Sequence, residues 1–207
     1  MRHPTELCLV RHGETDWNLQ TLTQGSTNVP LNETGRGQAR ATGKTLAEES
    51  WDAIVSSPLD RAFETATIIA RATGFSDAEV ELDPDLVERA YGAVEGMPAE
   101  ERKQRYPDKV FPGAEPWESV RVRVMRSIQR LVTEYSGRRV IVVSHAGAIL
   151  NILDKVSGGE YAPGTVLLGN ASMNLLRYDG TWTVLFCNRT YDTANTALPS
   201  GSRIERS

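Results

Sequence analysis

The stretch Val140-Ile141-Val142-Val143-Ser144-His145-Ala146-Gly147 joins four consecutive β-branched residues to a short polar segment. An apolar run this short, bounded at once by polar residues, is typical of a strand buried on both faces of a parallel sheet. Leu7-Cys8-Leu9-Val10-Arg11-His12 shows the same order of apolar run and polar end near the start of the chain. Both histidines are therefore predicted at the carboxyl ends of strands, where open α/β sheets bind their ligands.

Strands and helices alternate on either side of these two runs. Further strands are predicted at residues 53–55, 80–82, 165–168, 172–178 and 181–186. Helices are predicted at residues 33–49 with Asn32 as N-cap, 57–73 with Ser57 as N-cap and Pro58 as the first helical residue, 99–106, 117–135 and 147–156. This alternation predicts an α/β fold, a doubly wound and mostly parallel sheet with helices on both faces. We expect residues 1–207 to form a single domain with a core from about 6 to 188 and a C-terminal tail over 189–207.

Composition and charge exclude several classes of function. The 207 residues are 40% hydrophobic and 24% charged, which is typical of a globular protein. The formal net charge is −4, whereas a protein that wraps nucleic acid needs an excess of Lys and Arg. No apolar run approaches the ~20 residues that span a bilayer, and the first residues predict no signal peptide. We expect a cytoplasmic location, with Cys8 and Cys187 as buried thiols.

Cationic and imidazole groups follow the predicted strands. Arg11 and His12 follow the first strand, Arg61 follows the strand at 53–55, and His145 follows the strand at 140–143. Arginine binds phosphate oxygens through two parallel N–H donors, and a neutral imidazole can attack phosphorus. The convergence therefore predicts a phosphate site with a histidine nucleophile. Only three histidines occur and no acidic cluster is visible, so we expect neither a metal site nor a cofactor.

Five blocks of the sequence resemble the signatures of the histidine phosphatase superfamily, also called the phosphoglycerate mutase-like family. In chain order they are Arg11-His12-Gly13-Glu14-Thr15 with Trp17-Asn18; Gln24-Gly25 with Pro30-Leu31 and Thr34-Gly35; Ser56-Ser57-Pro58-Leu59 with Arg61; Glu88-Arg89-Ala90-Tyr91-Gly92 with Glu95-Gly96; and Ser144-His145-Ala146-Gly147. They extend from about Glu6 to Asn188, in the order that the family shows.

The resemblance implies a role for each matching residue. His12 would be the phosphorylated nucleophile, and Glu88 would be the acid toward the leaving group and then the base for water. The resemblance also implies phosphate contacts from Arg11, Arg61, His145 and Asn18, and substrate contacts from Gln24, Gly25, Tyr91 and Ala146. The expected partner is a small phosphorylated substrate, without nucleic acid or membrane, and a homodimer stays open.

Two rival functions accompany this prediction of a phosphomonoester hydrolase. A phosphoglycerate mutase is disfavoured because Met97-Pro98-Ala99 stands where mutases carry a lysine and the segment before the long helix is short. The other rival is a module that binds a phosphorylated ligand without turnover. The presence of both His12 and Glu88 argues against it. The natural substrate stays open.

Several charged residues are expected to take no part in catalysis. Residues 100–105 and the arginines of the helix at 117–135 are interpreted as solvated faces, with Arg126 pairing with Glu118. Glu14 is expected to position an arginine or histidine of the site, and Glu95 is assigned no role.

Overall fold

The computed structural model describes residues 3–191, which form one mixed six-stranded sheet flanked by helices. The strands are β1 Thr5–Arg11, β2 Ala53–Ser56, β3 Val80–Leu82, β4 Arg139–Ser144, β5 Met173–Tyr178 and β6 Trp182–Arg189. The α-helices are α1 Asp16–Leu19, α2 Glu33–Leu46, α3 Asp60–Thr73, α4 Ala99–Arg105, α5 Trp117–Glu134 and α6 Ala146–Ser157. Short 3₁₀ turns cover Asp77–Glu79, Pro84–Leu86 and Gly92–Val94.

The sheet order is β3-β2-β4-β1-β5-β6, and the first four strands in that order are parallel. β5 pairs antiparallel with β1, and β6 pairs antiparallel with β5 after the turn at Asp179-Gly180. The predicted α/β fold with a mostly parallel, doubly wound sheet is therefore confirmed.

Alternate residues of the central strands enter two separate cores, one on each face of the sheet. Leu7 and Leu9 of β1 pack with the apolar side of α5 and α6, which includes Ile128 and Ile152. Cys8 and Val10 pack on the opposite face with the inner residues of α3, such as Ile69. Because successive side chains of a strand point to opposite faces, strands with helices on both faces are apolar at every position.

The strand register places the polar ends of β1, β2 and β4 side by side. Arg11 is the register partner of Ser144, and Ser56 is the partner of Val143. The ladder continues for one step beyond the strands, since the His12 amide donates to the Ser144 carbonyl at 3.0 Å and the Ser57 amide donates to the Val143 carbonyl at 2.9 Å. His12, Ser57 and His145 thus leave the sheet at the same level.

One predicted helix start and one predicted strand are wrong for local reasons. α3 begins at Asp60, with extended Leu59 as its N-cap. The hydroxyl of Ser57, the predicted cap, contacts His145 Nε2 at 2.8 Å and accepts from the Leu59 amide at 3.3 Å, so it closes a turn before the helix instead of capping it. Residues 165–168 form no strand. The Leu168 carbonyl there accepts a hydrogen bond from Arg11 Nη1 at 2.6 Å instead of joining the sheet.

The remaining predicted elements agree with the structure to within a few residues. The Asn32 side chain caps α2 by accepting from the Gly35 amide at 2.8 Å, and α2 ends at Leu46, earlier than expected. Cys8 is buried and Cys187 is half-buried, both as free thiols. Of the predicted tail, residues 192–207 lie outside the described part of the chain. Over residues 3–191, none of the helices has the length and apolar character that crossing a membrane requires.

Candidate active site

A cavity of about 150 Å³ opens at the carboxyl ends of β1, β2 and β4. Every predicted site residue lines this cavity, with the exception of His145. The lining residues are Arg11, His12, Asn18, Leu22, Thr23, Gln24, Gly25, Arg61, Glu88, Tyr91, Arg102 and Ala146. Leu22, Thr23 and Arg102 are additions that the sequence did not predict.

The His12 imidazole is buried, and one of its nitrogens is already committed to the backbone. His12 Nδ1 lies 2.7 Å from the Gly13 carbonyl oxygen, which can only accept a hydrogen bond. Nδ1 must therefore carry the proton, and the lone pair of the neutral ring lies on Nε2. Burial, followed by the charges of Arg61 and Arg11, holds the pKa of His12 well below its ordinary value of 6.5. The ring is thus a neutral nucleophile at neutral pH.

The backbone after His12 is held by the helices on one face of the sheet. The Gly13 amide donates to Thr65 Oγ1 of α3 at 3.0 Å. Gly35 of α2 approaches so closely that a Cβ there would lie 2.6 Å from the Glu14 nitrogen. Glycine is needed at position 35 for this close approach of two backbones.

Arg61 is buried and Arg11 is half-buried beside His12, and each keeps one N–H without a hydrogen-bond partner among the described residues. Arg61 donates from Nη1 to the Thr27 carbonyl at 2.9 Å and from Nη2 to the Gly25 carbonyl at 2.7 Å. Within residues 3–191, Nε of Arg61 and Nε of Arg11 are buried without a hydrogen-bond partner. Burial lowers the pKa of Arg61 to about 10, so its guanidinium stays charged at neutral pH. Two cations with unsatisfied donors fit an anion with several acceptor oxygens, such as a phosphoryl group.

Asn18 lines the cavity, and its side-chain oxygen is occupied by neighbouring donors. Asn18 Oδ1 accepts from the Thr15 amide at 3.2 Å and from Asn170 Nδ2 at 3.1 Å. Asn170, which no sequence motif marks, also donates to the His12 carbonyl at 3.3 Å. Asn170 therefore ties the segment that carries His12 to Asn18.

His145 lies behind His12, not on the cavity wall. The two ring centroids are 5.2 Å apart, and His145 is fully buried. Its Nε2 lies 2.8 Å from Ser57 Oγ, and among the described residues no group bonds to its Nδ1. Burial and then the charge of Arg61 hold the pKa of His145 well below 6.5, so this ring is neutral too.

Glu88 reaches the cavity from the loop that follows β3, and backbone amides hold both of its carboxylate oxygens. Oε1 accepts from the Arg89 amide at 2.8 Å, and Oε2 accepts from the Gly147 amide at 2.9 Å in the first turn of α6. A Cβ at Gly147 would collide with Oε1, so glycine here makes room for the acid. Glu88 is thereby held as a buried carboxyl group on the cavity wall.

Arg123 of α5 holds the backbone that carries Glu88. Its Nη1 donates to the carbonyls of Asp85 at 2.8 Å and Val87 at 2.6 Å, and its Nη2 donates to the Glu88 carbonyl at 3.2 Å. The Glu115 carboxylate accepts from Nε at 2.8 Å and from Nη2 at 2.9 Å. The interpretation of Arg123 as part of a solvated face is wrong, because only 13% of its side chain is exposed.

Glu95 joins the loop on one side of the cavity to the loop that carries the acid. Its carboxylate accepts from the Ser26 amide at 3.0 Å, the Thr27 amide at 2.9 Å and the Tyr91 amide at 2.8 Å. Burial alone would raise the pKa of Glu95, but hydrogen bonds from Thr27, Tyr91 and Ser26 outweigh it and lower the pKa. The sequence analysis assigned Glu95 no role, although the residue lies inside a block that resembles the family signatures. That position in the sequence could have indicated its role.

Two further predictions about charged residues are wrong. Glu14 contacts no arginine or histidine of the site within the described residues, since its Oε1 accepts from Asn32 Nδ2 at 3.0 Å beside the start of α2. Arg126 pairs with Asp85 at 2.6 Å and not with Glu118, because Asp85 lies in the loop packed across α5. Within the described ranges, no three His, Cys, Asp or Glu side chains cluster in a way that could hold a metal ion.

Comparisons with known proteins show which proteins this chain is similar to. The model of the histidine phosphatase superfamily (branch 1) matches residues 7–190. Over 174 residues the chain is 44% identical to the uncharacterized phosphatase PhoE of Bacillus subtilis strain 168, covering 84% of this chain and 89% of the relative. It is 34% identical to phosphoglycerate mutase-like protein 4 of Arabidopsis thaliana, covering 86% of this chain and 83% of the relative.

A solved structure gives the same result at the level of the fold. The mycobacterial glucosyl-3-phosphoglycerate phosphatase complexed with VO3 superimposes with a TM-score of 0.81 and 28% identity, covering 89% of this chain and 99% of the other. The family match extends over most of the chain and includes all the strands that surround the cavity. The chain therefore belongs to the histidine phosphatase superfamily, branch 1.

Proposed function

We propose that this protein hydrolyses small phosphomonoesters through a phosphohistidine formed on His12. The observation that carries the proposal is the His12 Nδ1 contact with the Gly13 carbonyl at 2.7 Å. This contact leaves the Nε2 lone pair free on a ring whose pKa is lowered by burial and by Arg61 and Arg11. The phosphatase names of the Bacillus subtilis relative and of the mycobacterial structure support the reaction class.

In the first step, His12 Nε2 attacks phosphorus and the bond from phosphorus to the ester oxygen breaks. The Glu88 carboxylic acid gives its proton to the departing alkoxide, which leaves as an alcohol. Arg11 and Arg61 donate to the phosphoryl oxygens and stabilise their charge in the transition state. The proton on Nδ1 stays there, hydrogen-bonded to the Gly13 carbonyl, so the nucleophile needs no deprotonation before it attacks.

In the second step, water attacks the phosphohistidine. The Glu88 carboxylate takes a proton from the water, the bond from Nε2 to phosphorus breaks, and the electron pair returns to His12. Inorganic phosphate leaves and Glu88 is again protonated. The side-chain amide of Asn18, which lines the cavity, supplies a further donor to the phosphoryl oxygens in both steps, and His145 supports the His12 ring from behind.

Guanidinium groups supply the positive charge that a metal ion provides in other phosphatases. We accordingly expect phosphate release to survive treatment with a chelator. Cytoplasmic location stays a prediction from the sequence, and the oligomeric state stays open.

The phosphohistidine is tested by trapping it. Wild-type protein incubated with a ³²P-labelled phosphomonoester and quenched in alkali is expected to carry an acid-labile label, and His12→Ala is expected to carry none. Phosphate release should fall by ~10⁴-fold or more in this variant, as for other enzymes that lose their nucleophile. His3→Ala is the matched control and should retain label and turnover. Label of equal yield in His12→Ala would remove His12 from the nucleophilic role.

A phosphoglycerate mutase is the second candidate, and the relative named phosphoglycerate mutase-like protein 4 is the observation that favours it. The two functions differ in the acceptor, which is water for a phosphatase and a second phosphoglycerate hydroxyl for a mutase. Assay of interconversion between 2- and 3-phosphoglycerate in the presence of the bisphosphate separates them. Interconversion of the two phosphoglycerates faster than phosphate release would overturn the proposal that the protein is a hydrolase. Binding of a phosphomonoester without any release would indicate the non-catalytic module.

A further inference from the structure

Residues 167–172, which we name the strap, lie between α6 and β5 and contact the end of β1. The Leu168 carbonyl accepts from Arg11 Nη1 at 2.6 Å. Three residues later, the Ala171 amide donates to the His12 carbonyl at 3.1 Å. The five blocks that resemble the family signatures do not include the strap. A segment without a signature therefore holds the backbone and one arginine of the site.

The strap has a backbone conformation that its surroundings impose. Ala171 is buried with a φ of 55°, in the left-handed region that residues other than glycine rarely adopt. Its carbonyl accepts from Thr42 Oγ1 of α2 at 2.9 Å. From β6, Asn188 accepts from the Gly169 amide at 2.8 Å and donates to the Leu167 carbonyl at 3.0 Å. Because such a conformation persists only where neighbouring groups fix it, the strap is a preformed support for the site.

The side chain of Asn170 extends from the strap to a residue of the cavity wall. Asn170 Nδ2 donates to Asn18 Oδ1 at 3.1 Å and to the His12 carbonyl at 3.3 Å, which uses both hydrogens of this nitrogen. The His12 carbonyl also accepts from the Ala171 amide, so it keeps a donor when Asn170 is replaced. The bond to Asn18 is therefore the one whose loss has a consequence at the cavity.

The orientation of the Asn18 amide decides whether it attracts or repels a phosphoryl group. The two ends of a side-chain amide have nearly the same shape, but the nitrogen donates and the oxygen accepts. Asn18 Oδ1 accepts from the Thr15 amide at 3.2 Å and from Asn170 Nδ2, and both of these nitrogens can only donate. Nδ2 is then the end of Asn18 available to a ligand in the cavity. A rotated amide would direct an acceptor at the phosphoryl oxygens, which are themselves acceptors.

Resting on the proposed phosphate site, we propose that Asn170 is a positioning residue that raises the affinity for the phosphoryl group by orienting the Asn18 amide. Asn170 is not among the residues that line the cavity, so it acts through Asn18 and not by contact with the substrate. Without Asn170, the Thr15 amide and hydroxyl still bond to Asn18 Oδ1. Some of the Asn18 amides then rotate, so the loss of affinity is smaller than on removal of Asn18 itself.

A double-mutant cycle on the binding of inorganic phosphate tests this coupling, with the Kd measured by titration calorimetry on the full chain. Asn18→Ala should raise the Kd by about 10- to 100-fold, the loss of one hydrogen bond to a charged group. Asn170→Ala should raise it by about 3- to 10-fold in the wild-type background, but by less than about 2-fold in a chain that already carries Asn18→Ala. Asn170→Asp keeps the shape and replaces the donor by an acceptor, so it should weaken binding more than Asn170→Ala.

Thr165→Ala is the matched control, because the exposed Thr165 lies just before the strap and its hydroxyl donates to the Ala162 carbonyl at 2.7 Å. It should leave the Kd for phosphate unchanged. If Asn170→Ala does not fold, the same cycle with Asn170→Asp measures the coupling.

Equal losses of affinity from Asn170→Ala in the two backgrounds would overturn the inference, because Asn170 would then act on the fold and not through Asn18. An unchanged Kd in Asn170→Ala would overturn it as well. Failure of wild type to release phosphate from any phosphomonoester, with the coupling present, would instead overturn the proposed hydrolase and leave the role of Asn170 in phosphate binding intact.

Discussion

Arg123 donates from Nη2 to the backbone carbonyl of Glu88 at 3.2 Å. Its other N–H groups bond to the carbonyls of Asp85 and Val87 and to the carboxylate of Glu115, so all five donors of the guanidinium are used. The proposed acid is therefore held from behind by a long helix that otherwise packs against the sheet. Arg123 lies outside the cavity lining and is a positioning residue.

Replacement of Arg123 should misplace Glu88 without removing it. We expect Arg123→Gln to lower kcat by ~10-fold or more for alkyl phosphates, with a smaller loss for an aryl phosphate that leaves without a proton. Arg123→Lys keeps the charge but not the five-donor geometry, so its kcat should lie between those of wild type and Arg123→Gln. Arg121→Gln, on the same helix and paired with Asp154 at 3.0 Å, serves as the control. A uniform loss on both substrate types would indicate a purely structural role.

Removal of the acid itself should show the same selectivity more strongly. Glu88→Gln keeps the shape and can still bond to the Gly147 amide through its oxygen, but it cannot give a proton. Alkyl phosphates should lose about 10²- to 10⁴-fold in kcat/KM, whereas an activated aryl phosphate should lose little. Measurement of kcat/KM across a series of leaving groups gives the dependence directly. A parallel shift of the whole series would exclude Glu88 as the acid.

Stability should fall as the pH falls below 6.5, because two histidines are buried as neutral rings. Burial holds the pKa of His12 and of His145 well below 6.5 in the folded protein. The unfolded chain then binds more protons than the folded chain, so the free energy of unfolding decreases by up to ~1.4 kcal/mol per pH unit for each histidine. Above pH 6.5 the two histidines bind no protons in either state, so their contribution to the free energy of unfolding no longer changes with pH.

Urea denaturation at about pH 7 and about pH 5.5 measures this dependence. His12→Asn removes one of the two rings and should give a visibly shallower slope than wild type. An identical slope in the two proteins would show that His12 titrates normally in the folded state.

Two glycines of α2 should respond oppositely to alanine. A Cβ at Gly37 would meet no atom of residues 3–191 within 4 Å, so Gly37→Ala should raise the free energy of unfolding by about 0.5–1 kcal/mol, the helix preference of alanine. Gly35→Ala would press a methyl group against the Glu14 backbone and should lower it by about 1–3 kcal/mol. Thermal unfolding of both variants checks the signs, and only Gly35→Ala should also reduce phosphate release. Stabilisation by both substitutions would contradict the close approach of α2 to the His12 loop.

Residues near the strand ends were predictable, and residues that act from a distance were not. Arg11, His12 and Glu88 lie in blocks where a short apolar run or a family signature marks the position. Arg123 and Arg102 lie on two different helices. The spacing of apolar residues in each helix distinguishes its inner side from its outer side, but it does not say what packs against the border between the two sides. Arg123 is three residues after the buried Val120, and Arg102 is three residues after Ala99, so spacing alone was an available but ambiguous signal.

The sequence by itself determined the doubly wound sheet, because short apolar runs alternating with amphipathic segments have few other ways to bury their surface. It also determined that His12, Arg11 and Arg61 share one end of that sheet, because parallel strands end together. Only the tertiary structure decided which nitrogen of His12 is free, since the Gly13 carbonyl selects it through a 2.7 Å contact. It likewise decided that Arg102 faces the cavity and Arg105 the solvent, because backbone pairing of residues far apart in the chain orients α4.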